Sequence, residues 1–390
     1  VELPVYLDYA ASTPVDEEVA AAMSACLCSP AGMASASASH ARGREASALL
    51  EQARASVAAL INAAPAEIIF SSGATESNNL AVIGAARYFA GRGRHLVTAL
   101  SEHSSVLEAF RYLERNGFRV SWLQPDRSGR ISADAVAAAL GSDTTLLSLM
   151  HVNNETGVIQ DLAAIGAVCR ERGVLLHSDA AQSAGKLPLD VRTLPVDMLS
   201  LSAHKMGGPK GAGALYLNQA RVRRVEPLLY GGGQERGLRS GTPALHQAVG
   251  LATACRLATV RMAADEQHLL GLREALWAEL AGLQGVLRNG DPAHCAAHIL
   301  NVSFTGVNGE SLLYALPELA LGAGAACSSG SGQPSHVLRS LGRAPRLAES
   351  SLRFSFGRQT TRAEISFAAE RVCTAVAALR RIAPAATQQP

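Results

Sequence analysis

Between residues 67 and 217, compact apolar runs alternate with longer stretches whose apolar residues recur every three or four positions. The compact runs lie near 67–70, 96–99, 119–123, 145–150, 174–177, 198–202 and 214–217, and they predict short buried strands. The stretches between them, 74–90, 106–115, 133–140 and 162–172, predict helices. Such alternation argues for an α/β architecture, a mostly parallel sheet flanked by helices, with ligands at the carboxyl ends of the strands. Upstream, Val5 to Tyr9 reads as a strand, and Thr13-Pro14 with Asp16 and Glu17 marks a helix start. The Ala-, Ser- and Gly-rich stretch 29–39 reads as a loop before a helix over about 40–62. After about Cys255 the pattern changes to a long helical stretch through Glu279, a strand at 299–304, a strand at 352–356 and a last helix over about 363–381. The expectation is a large domain over 14–255 and a smaller α+β domain built from 1–13 and 256–390, with a disordered tail from Pro384.

Composition narrows the class. The 390 residues are 48% hydrophobic and 17% charged, without a run of 18 apolar positions, as expected of a soluble globular chain with no membrane span. A net charge of +2 gives no basic footprint for direct nucleic-acid binding. Glu2 and Asp8 interrupt the short apolar start, so no signal-peptide pattern is expected there. Seven irregularly spaced cysteines fit a reducing cytoplasm better than a disulfide framework. Cys26 and Cys28 form the one close pair, and with no second cluster beside them no metal site is expected.

The candidate chemistry gathers at strand ends. Lys205 follows the run 198–202 and precedes Gly207, Gly208, Gly211 and Gly213, so another molecule could approach the backbone closely there. A lysine so placed is either a solvated residue in a glycine-rich hairpin or a desolvated amine able to form a Schiff base. Ser72-Gly73-Ala74-Thr75-Glu76 links a strand to a helix, as an ordinary N-cap or as an anion cradle for a phosphate. His103 and Asn154 sit in polar loops at the same edge. Asp179 follows the apolar run Val174-Leu175-Leu176 after His177-Ser178, and it either caps a turn or pairs with a pyridinium N–H.

Cradle, pyridinium partner and lysine are the parts that hold pyridoxal 5′-phosphate. At these residues the sequence resembles the fold-type I enzymes that use this cofactor, and among them the cysteine desulfurases of the NifS/IscS-like group. The resemblance runs from Tyr6-Leu7-Asp8-Tyr9 to Arg353-Phe354-Ser355-Phe356-Gly357-Arg358. Its further carriers are Ser72 to Ser77, Glu102-His103, His151 to Gly157, Asp179-Ala180-Ala181-Gln182, Ser202-Ala203-His204-Lys205, Arg239-Ser240-Gly241-Thr242 and Ala326-Cys327-Ser328-Ser329.

The resemblance implies a role for each matched position. Lys205 would carry the cofactor and serve as base at the substrate Cα. Asp179 would keep the ring nitrogen protonated, His103 would stack on the ring and Gln182 would bond its oxygen. Ala74, Thr75, Ser202 and His204 would hold the phosphate, with Thr242 supplied by the other subunit of a homodimer. Asn154 and Arg353 would position L-cysteine. Cys327 lies in a stretch, 322–332, made only of Gly, Ala, Ser and Cys, where it is either a structural cysteine or a travelling nucleophile. The resemblance favours the nucleophile, whose thiolate takes the substrate sulfur as a persulfide, yields L-alanine and serves a sulfur-acceptor protein. Selenocysteine lyases share most of these motifs, whereas an aminotransferase has no use for this thiol. Acceptors in the family include iron–sulfur scaffolds, tRNA thiolation relays and DNA sulfur-modification systems.

Two stretches depart from the family pattern. Met33-Ala34-Ser35-Ala36-Ser37 stands where the family has Gly-Asn-Pro-Ala/Ser-Ser. The ending Ala385 to Pro390 differs from that of the cluster-assembly members.

Overall fold

A computed structural model describes residues 1–323 and 334–382. The chain opens with β1 (Val5–Leu7), α1 (Glu17–Leu27) and α2 (Ala41–Leu60). Strands and helices then alternate as β2 (Ile68–Ser71), α3 (Ala74–Tyr88), β3 (His95–Ala99), α4 (Ser104–Arg115), β4 (Arg119–Leu123), α5 (Ala133–Ala139), β5 (Thr144–Ser148), α6 (Leu162–Glu171) and β6 (Leu175–Asp179). β7 (Met198–Ser202) and β8 (Gly213–Leu217) follow, joined by the lysine–glycine stretch. These seven strands form one sheet in the order β2-β8-β7-β6-β5-β3-β4. β8 runs antiparallel to both of its neighbours, and the other adjacent pairs are parallel. The sheet is mostly parallel, as the alternation predicts.

Successive residues along these strands enter opposite cores, as the pleat requires. Leu96, Leu146, Leu175 and Met198 pack with α3 and α4, whereas Val97, Leu147, Leu176 and Leu199 pack with α2 and α6. Both faces are therefore covered, which explains why the strands read as unbroken apolar runs.

α7 (Leu245–Leu280) then crosses from one core to another. Leu251, Cys255 and Ala258 pack under the seven-stranded sheet, while Leu269, Leu272, Leu276 and Leu280 pack under a second sheet. The expected boundary between 255 and 256 lies inside this helix. It begins ten residues earlier than its sequence pattern suggests. The chain continues as β9 (Val286–Arg288), β10 (Ile299–Phe304), α8 (Gly309–Tyr314), β11 (Leu319–Ala323), α9 (His336–Ser340), α10 (Pro345–Glu349), β12 (Ser351–Ser355) and α11 (Arg362–Ile382). The second sheet has the order β1-β11-β12-β10-β9, so the first strand of the chain joins the C-terminal unit. Among the described residues, no helix is long and apolar enough to cross a membrane.

Within 29–39 the backbone forms turns, with Ala34 and Ala36 packed against the α2–α7 core and Met33 exposed. His40 caps α2, its Nδ1 accepting from Gly43 N–H at 3.1 Å.

Candidate active site

A cleft of about 840 Å³ opens at the carboxyl ends of the large sheet, within the usual size of small-molecule sites. Strand register explains what meets there. Ser71 and Ser202 both lie opposite Gly213, and Asp179 lies opposite Ser200 one strand further on. Gly213 lets the chain before α3 come close, because a Cβ on it would sit 2.5 Å from Gly73 Cα. Gly73 itself has φ 150°, a conformation that favours glycine. No side chain caps α3, and no described residue accepts from the Ala74 or Thr75 amides. These two N–H groups, at the positive end of a 15-residue helix, line the cleft with Ser202 and His204. Burial foremost, helped by the charge of Lys205, holds the His204 imidazole down at about 4, so it is neutral near pH 7.

Lys205 follows β7 in a single 3-10 turn, Ala203–Lys205. Its Nζ donates to the carbonyls of Ala10 at 2.6 Å and Ala11 at 2.8 Å. Burial first, then the nearby Arg353 guanidinium, lower its pKa to about 8, against the opposing pull of Asp179 and Asp8. Lys186 donates to the Lys205 carbonyl at 2.7 Å. Asp179 ends β6, and its carboxylate accepts from Ala181 N–H at 2.9 Å and Asn78 Nδ2 at 2.7 Å. Gln182 donates to the Ala10 carbonyl at 2.8 Å and meets His298 at 3.1 Å.

His103 caps α4 and remains exposed on the cleft. Across from it, Arg353 on β12 donates to the Asn154 carbonyl at 2.9 Å and to Asp8 at 2.6 Å. Its Nε is buried without a partner among the described residues. That guanidinium packs flat against Gly322, where a Cβ would fall 2.6 Å from Nε. The structure thus gathers Lys205, Asp179, Gln182, His103, Ala74, Thr75, Ser202, His204, Asn154 and Arg353 around one cleft. Thr242 is exposed and is not part of the cleft wall of its own chain. Cys327 lies outside the described residues.

Residues 5–367 match the class-V aminotransferase family. The cysteine desulfurase IscS of Pseudomonas aeruginosa strain LESB58 is 50% identical over 98% of this chain and 95% of its own. The chain belongs to the cysteine desulfurase family. Among solved structures of similar fold, a NifS-like protein superposes with TM-score 0.88 at 33% identity, covering 96% of this chain and all (100%) of its own. SspA in complex with cysteine superposes with TM-score 0.81 at 37% identity, covering 92% of this chain and 100% of its own.

In this desulfurase the loop leading to Thr242 has a buried anchor. Glu235 accepts from Arg54 Nη1 at 2.6 Å, from Arg54 Nη2 at 2.8 Å and from Phe70 N–H at 2.9 Å. Both side chains are 4% exposed, and the guanidinium also lies 4.7 Å from the Phe70 ring centre. Glu235→Ala should cost about 3–5 kcal/mol, because it removes the buried bidentate partner of Arg54 and leaves that charge only the exposed Glu51, 3.1 Å from its Nε. Replacing the pair together, as Arg54→Met with Glu235→Leu, should recover most of that loss. Denaturant unfolding of the two variants beside the wild type checks this, and a loss below about 1 kcal/mol for the single change would contradict it.

Sequence reasoning missed Asp8, Asn78, Ser105 and the carbonyls of Ala10 and Ala11. Asn78 left a readable trace, a polar residue ahead of the apolar stretch Leu80 to Ala86 in a helix that is buried there. Among the cysteines read as structural, burial drives the thiols of Cys169 and Cys255 up to about 12. Neither lines the cleft.

Proposed function

We propose that the protein removes sulfur from L-cysteine with pyridoxal 5′-phosphate, releasing L-alanine and leaving a persulfide on Cys327 for an acceptor protein. The observation that carries this reading is one cleft combining an uncapped helix terminus, a carboxylate at the adjacent strand end, a lysine of lowered pKa and a guanidinium with an unused N–H. That donor set fits the cofactor: Ala74, Thr75, Ser202 and His204 would hold its phosphate and Asp179 its ring nitrogen. Lys205 would hold its carbonyl carbon, His103 its ring face and Gln182 its ring oxygen. When bound, the cofactor supplies an electron sink for the carbanion at the substrate Cα.

The chain's own groups do the rest. Arg353, oriented by Asp8 and the Asn154 carbonyl, lines the cleft, where its guanidinium would pair with the carboxylate of L-cysteine. Lys205, as free amine, takes the proton from Cα. The Cys327 thiolate attacks the substrate sulfur; an S–S bond forms, the Cβ–S bond breaks, and its electron pair stays on carbon until a proton arrives. Alanine, and sulfide freed from the persulfide by an added thiol reductant, measured from L-cysteine test the reading, and a protein that yields neither when loaded with cofactor would sink it.

The lysine predicts a pH profile. With a pKa of about 8 the neutral amine makes up about a tenth of the population at pH 7, a far larger share than at an ordinary lysine. Covalent capture of pyridoxal 5′-phosphate by cofactor-free protein should quicken about tenfold per unit below pH 8 and level off above it. Stopped-flow absorbance from pH 7 to 10 checks this; a rate still climbing at pH 10 would assign Lys205 an ordinary pKa.

We infer a homodimer, because Thr242 is a phosphate ligand by resemblance yet is exposed away from the cleft of its own chain. Sedimentation equilibrium showing a fully active monomer would refute that. A reducing cytoplasm suits a cysteine that must be a free thiol between turnovers, and recovery of the protein in a secreted fraction would count against it.

A further inference from the structure

Four polar groups along the cleft wall form a chain of hydrogen bonds with a direction. Asn78 is fully buried on α3, and its Nδ2 donates to Asp179 Oδ2 at 2.7 Å and to Ser105 Oγ at 2.9 Å. Ser105 Oγ in turn lies 2.8 Å from His103 Nδ1, which also accepts from Ser105 N–H at 3.1 Å.

The carboxylate end fixes the protons along this chain. An ionised Asp179 only accepts, so Asn78 must turn its NH₂ toward it; the reversed amide would oppose two acceptors. The orientation leaves Asn78 Oδ1 buried without a partner among the described residues, a cost that the charge-assisted bond to Asp179 outweighs. Because the same NH₂ occupies a lone pair of Ser105 Oγ, the hydroxyl proton points to the remaining partner, His103 Nδ1. Two donors, the O–H and the N–H of Ser105, therefore converge on that nitrogen. A proton on Nδ1 would face both of them.

We propose that Asn78 and Ser105 are positioning residues that fix His103 as its Nε2–H tautomer, so that the ring offers the cleft a proton donor and not a basic nitrogen. Nε2 has no partner among the described residues, and the ring lines the cleft. The group that His103 serves is then an anion or a lone pair beside its ring, such as a substrate thiolate. It does not take the Cα proton, which leaves that step to Lys205. Only the identity of that group rests on the desulfurase reading; the tautomer is a property of the protein.

Long-range ¹H–¹⁵N spectra of ¹⁵N-histidine-labelled, full-length protein as purified test this, with His103→Gln assigning the signals. At neutral pH, Nδ1 should resonate in the pyridine-like range and Nε2 in the pyrrole-like range. Ser105→Ala keeps the backbone donor but loses the hydroxyl, and both signals should move toward values averaged between tautomers. Ser105→Thr should restore the wild-type pattern, and Asn78→Leu should move the signals in the same sense as Ser105→Ala. If Asn78→Leu fails to fold, the two Ser105 variants decide. A proton on Nδ1 in the wild-type protein, or an unchanged spectrum in Ser105→Ala, would overturn the proposal. Absent desulfurase activity with the tautomer in place would instead count against the proposed reaction.

Discussion

Lys205→Ala should end covalent capture of pyridoxal 5′-phosphate and lower L-cysteine turnover by at least about 10²- to 10⁴-fold, the usual contribution of one positioned proton-transfer group. The variant should still bind the cofactor non-covalently, because the α3 terminus, Ser202, His204 and Asp179 are untouched. Two other lysines make the experiment discriminating. Lys210 lines the same cleft but is exposed. Lys186 is bonded to the Lys205 carbonyl, and burial with the Lys205 charge brings its pKa down to about 7. A depressed pKa alone would nominate Lys186 as readily as Lys205. Position decides, since Lys205 Nζ lines the cleft at the end of β7, beside the β6 strand that ends in Asp179, while Lys186 is absent from that wall. Borohydride reduction followed by peptide mapping should place the label on residue 205. Recovery of the label on 186 or 210, or a fully labelled Lys205→Ala protein, would remove Lys205 from its role.

Much of this cleft was legible because its parts are local. A strand followed by Ser-Gly-Ala-Thr favours a helix entry, and an aspartate shortly after three apolar residues favours a strand end. What escaped reading is what long-range packing creates. Asp8, just past β1, meets Arg353 across 345 positions of chain. The Ala10 and Ala11 carbonyls have no sequence signal at all, yet they hold the reactive amine. The early start of α7 was obscured for a different reason. Leu245, Ala248, Leu251, Ala252, Ala254 and Cys255 are all buried, so this part of the helix is apolar nearly all round and shows little periodicity. β11 carries the sequence Leu-Ala-Leu-Gly-Ala, too small-residued to read as a strand; it is one because β1 and β12 pair with it on either side. The two halves of the site therefore differ in legibility. The cofactor side comes from contiguous strand ends, and the substrate side depends on where the second sheet brings Arg353.

Cys327→Ser should bind pyridoxal 5′-phosphate normally and still change its absorbance on adding L-cysteine, yet release essentially no sulfide or alanine. The separation follows from when the thiolate acts. In the proposed reaction Lys205, Asp179 and Arg353 would recognise cofactor and substrate before any carbon–sulfur bond is strained, and none of them is altered. The thiolate is needed only when the substrate sulfur must leave, and a hydroxyl that stays protonated at neutral pH is a far poorer nucleophile toward sulfur. A loss on the order of 10²-fold or more in alanine formation, with the absorbance change intact, would put Cys327 at that step. L-selenocysteine is the informative control, because selenium needs less help to leave. Cys327→Ser should retain a much larger share of its turnover with selenocysteine than with cysteine. Should the variant instead release sulfide from L-cysteine at the wild-type rate, a simple β-elimination would replace sulfur transfer, and no persulfide would exist for an acceptor to take.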